Sequence, residues 1–126
     1  MPFRNAYNGL KVLVTGHTGF KGAWLSLWLQ EIGAKVYGIS IPGCDSEEHL
    51  SKLQLAVNGI EVDIRDFGNL NKAVTDIQPD IVFHLAAQSL VRRSYKNPRE
   101  TWDTNVIGTL NLLLAARDEG VDRFVF

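Results

Sequence analysis

The chain has 126 residues, 45% of them hydrophobic and 21% charged, with a formal net charge of −1 and a single cysteine, Cys44. This composition predicts one globular domain with a real core; it excludes a disordered chain, an internal disulfide framework and a general nucleic-acid binder, which needs a basic surplus. No apolar run approaches the roughly 18 residues that span a bilayer, and the N-terminus lacks the apolar core of a signal peptide, so we expect a cytoplasmic protein with no membrane partner.

Short β-rich runs alternate with segments of helical period along the chain. The predicted strands lie at residues 11–15, 35–39, 59–62, 81–85 and 123–126. A helix is predicted between the first two strands from an apolar stripe at helical spacing, formed by Phe20, Ala23, Trp24, Leu27 and Trp28. Further aliphatic residues widen this stripe, so we expect the helix to be heavily buried.

Two more helices are predicted downstream. One has an apolar stripe from Leu70 to Ile77 with Asp66 as its N-cap, and it should end near Gln78 because a residue before proline avoids the α region. The other is long, from about residue 98 to 117, and its apolar stripe consists of Trp102, Val106, Leu110, Leu113 and Ala116.

The alternation of strands and helices predicts βαβ units and a doubly wound parallel sheet of about five strands. The segment 42–58 is ambiguous, because residues 46–55 form either a short helix capped by Ser46 or mostly loop. The chain stops inside the last predicted strand. We therefore expect it to be the N-terminal part of a longer protein; the alternative is a small complete five-strand domain.

Residues 16–22 follow the first strand directly and open the first helix with the spacing G-x-x-G-x-x-G. Gly16 allows a tight turn, Gly19 removes a Cβ so that a pyrophosphate can approach the backbone, and Gly22 lets the helix pack closely on the strand. The N–H groups and the dipole of the helix start would hold the phosphate charge. We predict a dinucleotide site here; the alternative is a tight turn without a ligand.

Two side chains of this loop have alternative roles. His17 either contacts the cofactor or substrate or is simply solvated, and we favour a solvated histidine. Lys21 stands at a helix start, where the dipole disfavours a cation. A nearby diphosphate would explain it, and a solvated lysine is an equal alternative.

The ends of the second and third strands predict the adenosine side of the site. Ser40 ends the second strand, where an acid commonly binds the ribose, and Asp45 is a second candidate for that contact. No Arg or Lys between residues 38 and 49 would receive a 2′-phosphate, so NAD is favoured while NADP stays open. Asp63 is predicted to accept a hydrogen bond from the adenine amino group, whereas Asp66 is favoured as a helix cap.

Four spaced motifs, at residues 16–22, 63–66, 84–89 and 104–109, resemble the extended short-chain dehydrogenase/reductases in kind and order. The resemblance covers the chain from about residue 9 to its end. Within that family, the stretch from Thr15 to Leu29 is similar to the CDP-glucose 4,6-dehydratases; most other members carry Gly or Ala in place of His17 and Thr18. The resemblance implies a Rossmann-like domain that keeps NAD bound through the reaction.

The resemblance also implies roles for individual residues. It assigns Gly16, Gly19, Phe20 and Lys21 to the pyrophosphate, Asp63 and Ile64 to the adenine, Leu85, Ala86, Ala87, Gln88 and Thr104 to the nicotinamide side, and Ser89 to the sugar substrate. Nearby, Arg92, Arg93, Lys96 and Arg99 fall within eight positions. This basic patch either steers a doubly anionic nucleotide sugar or is a solvated turn, and we rate the two equally.

The family's catalytic pair is Tyr-x-x-x-Lys on a helix, and Tyr7, Tyr37 and Tyr95 do not provide it. Tyr7 and Lys11 have the spacing, but Gly9 interrupts them and Lys11 enters a strand. In the family this pair lies beyond residue 126.

The resemblance therefore implies the NAD-binding portion, residues 1–126, of a nucleotide-sugar 4,6-dehydratase acting on CDP-glucose, inactive when alone. A 4-epimerase of the same family and a non-catalytic NAD(P)-binding module are the alternatives. Relatives pair through the long third helix, so its stripe either serves a homodimer or faces the sheet; for each residue of the stripe we favour the sheet.

Overall fold

The computed structural model describes residues 3, 5–42 and 56–126. Its strands are β1 (Lys11–Thr15), β2 (Lys35–Ser40), β3 (Asn58–Glu61), β4 (Ile81–His84) and β5 (Phe124–Val125). They form one sheet in the order β3-β2-β1-β4-β5, and every pair is parallel. The chain winds outward from β1 in both directions, so the doubly wound sheet of five strands is confirmed.

Helices follow β1, β3 and β4, as the periodicity predicts. They are α1 (Phe20–Glu31), α2 (Phe67–Ile77), α3 (Val91–Lys96), α4 (Pro98–Trp102) and α5 (Gly108–Asp118), with a π-helical turn (Asp103–Ile107) between α4 and α5. The predicted long helix is therefore present as α4, the π turn and α5 in direct succession. The sequence pattern predicted neither the π turn nor α3. The predictions for Cys44, Asp45 and the helix at 46–55 lie outside the described residues.

Hydrophobic side chains fill both faces of the sheet. On one face, Val12, Val14 and Val36 pack with Leu29 of α1. On the other face, alternate strand residues pack against α2 and α5 in a larger core: Leu13, Ile39 and Val82 with Leu70, Val74, Leu112 and Ala115. Successive residues of β1 thus enter opposite cores, as the two-residue period of a strand requires.

The buried stripe predicted for α1 is wrong for its aromatic members. Phe20, Trp24 and Trp28 are 72%, 49% and 56% exposed. The side that faces the sheet consists instead of Gly22, Ala23, Ser26 and Leu29. A Cβ on Gly22 would overlap the carbonyl oxygen of Gly16, so the helix lies too close to the sheet for large side chains.

The stripe predicted to face the sheet from the long helix also points outward, except at its end. Trp102, Val106, Leu110 and Leu113 are all exposed, and only Ala116 is buried. The inner side is made of Gly108, Asn111, Leu112, Ala115 and Ala116. A Cβ on Gly108 would lie 2.6 Å from Cδ1 of Ile64, so close packing again selects small residues for the buried side.

The ends of α2 agree with the sequence. The carboxylate of Asp66 accepts a hydrogen bond from the backbone N–H of Asn69 at 3.2 Å, so its predicted role as N-cap is confirmed. The helix ends at Ile77, and Gln78 takes a left-handed conformation before the proline. Among the described helices, none combines the length and apolar character that crossing a membrane requires.

Candidate functional site

A pocket of about 650 Å³ opens at the carboxyl ends of β1, β2 and β4. Its wall contains the residues predicted for the cofactor and the sugar, apart from the alternative ribose contact Asp45, which lies outside the described residues: Gly16, Gly19, Phe20, Lys21, Ser40, Asp63, Ile64, Leu85, Ala86, Ala87, Gln88, Ser89 and Thr104. Residues far apart in sequence meet here because parallel strands bring their carboxyl ends to one edge of the sheet. Arg93 of the predicted basic patch also lines the pocket, as do Thr18, Ile39, Ile41, Leu90 and Glu100, which the sequence did not predict as site residues.

The glycines of the loop meet different constraints. Gly16 has φ of +74°, and a Cβ there would lie 2.9 Å from the backbone nitrogen of Ala86. Gly22 allows the close approach of α1 described above. Gly19 is exposed, and a Cβ on it would meet only the carbonyl oxygen of Gly16, at 3.3 Å. The first and third glycines therefore serve the packing of the protein, and the second leaves the backbone open toward the pocket.

The start of α1 suits an anion. Gly19 is the N-cap and supplies no side-chain hydrogen bond, and the first turn holds no acidic residue. Lys21 lies in this turn, is exposed and lines the pocket. The positive end of the helix dipole therefore faces the pocket without a carboxylate of its own chain to neutralise it.

A chain of buried hydrogen bonds supports the floor of the pocket. Thr15 Oγ1 accepts from the backbone N–H groups of Leu85 and Ala86, each at 3.2 Å, so its own proton goes to His84 Nδ1, at 2.6 Å. Thr109 Oγ1 donates to the carbonyl of Asn105 at 2.7 Å and can therefore only accept from His84 Nε2, also at 2.7 Å.

Both ends of this chain require the same tautomer of His84, with the proton on Nε2. Burial lowers the pKa of His84 and keeps the ring neutral, which agrees with that assignment. The sequence predicted no role for His84, Asn105 or Thr109, although all three lie in the quoted motifs. A polar residue at a buried strand end was the available signal.

The loop after β4 is joined to the π turn by paired hydrogen bonds. The backbone N–H of Gln88 donates to Asn105 Oδ1 at 2.8 Å, and Asn105 Nδ2 donates to the carbonyl of Gln88 at 3.0 Å. The Gln88 side chain also donates to Thr101 Oγ1 at 2.9 Å. These bonds hold the loop beside Thr104, which lines the pocket from the π turn.

Two ion pairs stand at the pocket. The Asp63 carboxylate accepts three hydrogen bonds from the guanidinium of Arg65, and this pairing lowers the pKa of the Asp63 carboxyl. Arg93 pairs with Glu100, and both line the pocket. Within the predicted basic patch, Arg93 is therefore already neutralised by a carboxylate, while Arg92, Lys96 and Arg99 stay exposed.

The prediction that His17 is solvated is wrong, because the residue is only 5% exposed. Its ring lies beneath the pocket wall against Gly38 and Gly59, and burial lowers its pKa. The three tyrosines do not line the pocket. Tyr7 packs 6.5 Å from the ring of Phe83, and Tyr95 is exposed.

The strand order, the glycine loop and the pocket at the switch in winding direction define a Rossmann-like α/β domain. The family model for GDP-mannose 4,6 dehydratase matches residues 13–126, and the chain belongs to this family. The predicted resemblance to extended short-chain dehydrogenase/reductases is thereby confirmed.

Individual relatives point to nucleotide-sugar enzymes. The chain is 47% identical to the CDP-glucose 4,6-dehydratase of Salmonella typhimurium, over 93% of the chain and 33% of that protein. It is 37% identical to the GDP-mannose 4,6-dehydratase of Yersinia enterocolitica, over 89% of the chain and 32% of that protein. The chain thus spans about a third of the length of these relatives.

Solved structures of epimerases share the fold. The Thermus thermophilus UDP-glucose 4-epimerase, solved in complex with NAD, has a TM-score of 0.83 and 34% identity, covering 93% of this chain and 37% of its own. An epimerase from Methanothermobacter thermautotrophicus has a TM-score of 0.87 and 33% identity, covering 98% of this chain and 36% of its own.

Proposed function

We propose that residues 1–126 are the NAD-binding portion of a nucleotide-sugar 4,6-dehydratase whose substrate is CDP-glucose. The observation that carries the proposal is the pocket, whose wall combines the glycine loop, the ends of three strands and the π turn. The 47% identity to a CDP-glucose 4,6-dehydratase supports this substrate over other nucleotide sugars. We further propose that the protein is cytoplasmic and forms a homodimer.

The residues of the pocket fit a dinucleotide. Gly19 and Lys21 at the start of α1 would receive the pyrophosphate, and Asp63 the adenine amino group. Ser40 would bind the ribose; neither it nor the pocket residue after it offers the positive charge that a 2′-phosphate needs, which favours NAD over NADP. We propose the remaining assignments unchanged: residues 85–88 and Thr104 contact the nicotinamide, and Ser89 contacts the sugar.

In such an enzyme the nicotinamide, when bound, supplies a hydride acceptor. The chain's own part is to hold that ring in place, through the Gln88 loop and the π turn that the Asn105 amide joins. A hydrogen-bonded loop loses little further freedom when a ligand arrives, so more of the contact energy is retained as affinity.

Calorimetric titration of the chain with NAD and NADP tests the cofactor. We expect saturable binding of NAD and at least about tenfold weaker binding of NADP, because a 2′-phosphate beside Ser40 would lose its hydration without gaining a cation. The variant Ser40→Arg should narrow the difference, and Ser40→Ala should leave it nearly unchanged. Absence of NAD binding, or tighter binding of NADP, would contradict the proposal.

A product assay tests the catalytic limits of the chain. Incubation with NAD and CDP-glucose should yield no 4-keto-6-deoxy sugar, because the chain contains no usable Tyr-x-x-x-Lys pair to lower a tyrosine pKa and remove the C4 hydroxyl proton. A full-length protein that continues this chain should form that product. Turnover by the 126 residues alone would show that the catalytic base was misassigned.

A 4-epimerase is the second candidate, favoured by the solved structures that share the fold. The same full-length assay separates the two, since an epimerase inverts C4 and retains the C6 hydroxyl, whereas a dehydratase loses water across C5–C6. A non-catalytic NAD(P)-binding module is the third, and a Tyr-x-x-x-Lys motif downstream in the reading frame would argue against it.

A further inference from the structure

The imidazole of His17 lies in a seat formed by two glycines on neighbouring strands. Gly38 of β2 and Gly59 of β3 are directly paired in the sheet. A Cβ on Gly38 would overlap the ring, lying 2.5 Å from Cδ2 and nearer still to two other ring atoms. A Cβ on Gly59 would lie 3.2 Å from Nε2. The ring thus occupies the space where the side chains of two strands would stand.

The backbone itself requires neither of these glycines. Among the described glycines, positive φ angles occur at Gly9, Gly16, Gly33 and Gly120, but not at Gly38 or Gly59. Glycine weakens a strand, because it has no side chain to pack and loses more conformational freedom on folding than other residues. Two paired glycines are therefore unfavourable for the sheet, and room for the His17 ring accounts for both.

The seat lies directly under the glycine loop. Gly16 and Thr18, which flank His17, line the pocket, whereas His17 does not. The backbone N–H of Gly16 also donates to the carbonyl of Ile39 in β2 at 2.8 Å. The ring and this hydrogen bond together join the loop to the two strands whose ends carry Ser40 and lead to Asp63.

The ring is present at some cost to stability. Its Nδ1 is buried and has no hydrogen-bond partner of good geometry within the described part of the chain, and an unpaired buried polar atom is unfavourable. The backbone of Ile39 offsets only part of the effect of burial on the pKa of this ring. Burial also holds the ring in its neutral form. An aromatic ring without polar atoms would fill the same seat without that cost.

We propose that His17 is a positioning residue for the dinucleotide: its ring, held between the loop and the Gly38–Gly59 seat, sets the distance between the pyrophosphate side and the adenosine side of the pocket. The proposal rests on the proposed function, since it presumes that a dinucleotide occupies the pocket. His17 does not touch that ligand, and its effect passes through the main chain of Gly16 and Thr18.

Substitutions that remove the His17 ring or add a methyl group at Gly38 test the proposal. We compare the chain with His17→Ala, Gly38→Ala and the double variant, measuring NAD affinity by calorimetry and stability by urea unfolding. Each single variant should weaken NAD binding by about tenfold, one by removing the ring and the other by displacing it. In the double variant the loss of the ring removes the clash with the new methyl group, and that methyl group fills part of the void, so stability should recover relative to Gly38→Ala while affinity stays low.

Two further variants separate positioning from general destabilisation. Val74→Ala removes buried volume from the opposite core and should lower stability without changing NAD affinity. His17→Phe keeps a ring in the seat and should bind NAD within about twofold of the unmodified chain, with equal or higher stability.

Three outcomes would overturn the proposal. The first is wild-type NAD affinity in a folded His17→Ala chain. The second is full recovery of NAD affinity in the double variant, which would mean that the ring only fills volume. The third is a folded His17→Phe chain that binds NAD as weakly as the alanine variant. If His17→Ala does not fold, the NAD affinities of Gly38→Ala and His17→Phe still test the proposal. If the unmodified chain itself does not bind NAD, the proposed function fails together with this inference.

Discussion

Thr15 has one proton and three hydrogen-bond partners, and that count determines the direction of the network under the pocket. The two incoming N–H groups from Leu85 and Ala86 use its lone pairs, so the hydroxyl can only donate to His84. A protonated His84 could not accept this bond, because Nδ1 would itself be a donor. The network therefore requires a neutral imidazole, and acid conditions act directly on the floor of the pocket.

We predict that the chain loses stability as the pH falls below about 6.5, the ordinary histidine pKa. Burial lowers the pKa of His84 and of His17, so the unfolded chain binds more protons than the folded chain as the pH falls. Their contribution is fully present above pH 6.5 and is lost as the pH falls from there toward the folded pKa values. The limiting slope is about 1.4 kcal/mol per pH unit for each histidine.

Urea unfolding at a series of pH values between 7.5 and 5 measures this effect. His17→Phe removes one of the two histidines that are buried in the described part of the chain and should reduce the slope by about half. Stability that stayed constant across the series would mean that neither ring is buried in the neutral form.

Individual residues of the pocket were predictable where they lie at the end of a strand that the sequence pattern identifies. Ser40 and Asp63 follow strands that the pattern identified, so their meeting in one pocket followed from the topology. His17 was not predictable in this way. A polar residue in a loop suggests solvent, and its burial depends on Gly38 and Gly59, which stand far along the chain and carry no side-chain signal of their own.

On the sides of α1 and α5 that face the sheet, a small side chain matters more than a hydrophobic one. α1 presents Gly22, Ala23 and Ser26 to the sheet, and α5 presents Gly108 and Ala115. Apart from Leu29 and Leu112, most large apolar residues of these helices lie on the outer sides, so hydrophobic periodicity found both helices but predicted the wrong face. The N-cap of α2, in contrast, depends on contacts within one turn and was predicted correctly.

The outward stripe of α4 and α5 is the surface on which we expect two copies of the chain to pair. Trp102, Val106, Leu110 and Leu113 form an exposed apolar band of a kind that monomeric proteins rarely carry. Leu110→Glu should place a charge in the middle of that interface and shift the chain toward monomer, as measured by sedimentation velocity.

A matched substitution serves as control for the homodimer. Phe67→Glu changes another exposed apolar residue, at the start of α2, and should leave the sedimentation coefficient unchanged. A wild-type chain that sediments as a monomer at high concentration would contradict the pairing. So would a dimer that persists in Leu110→Glu and dissociates in Phe67→Glu.

The architecture of the whole molecule was predictable because it depends on alternation alone. Five β-rich runs separated by helical segments leave few arrangements other than a doubly wound parallel sheet, and the observed order agrees. The π turn was not predictable, because its contacts, such as those of Asn105 with the backbone of Gln88, are tertiary rather than a matter of local propensity. It is also where the pocket receives Thr104, so the irregular element lies at the site.

The pairing of β1 with β4 has a consequence for synthesis of the protein. Thr15 and His84 are 69 positions apart, and the last residue of the pocket wall, Thr104, comes later still. A ribosome that has released only the glycine loop has made one wall of a cleft whose opposite wall is not yet translated. Capacity to hold the dinucleotide should therefore arise abruptly during elongation, once the fourth strand and the helix behind it have emerged, rather than grow with chain length.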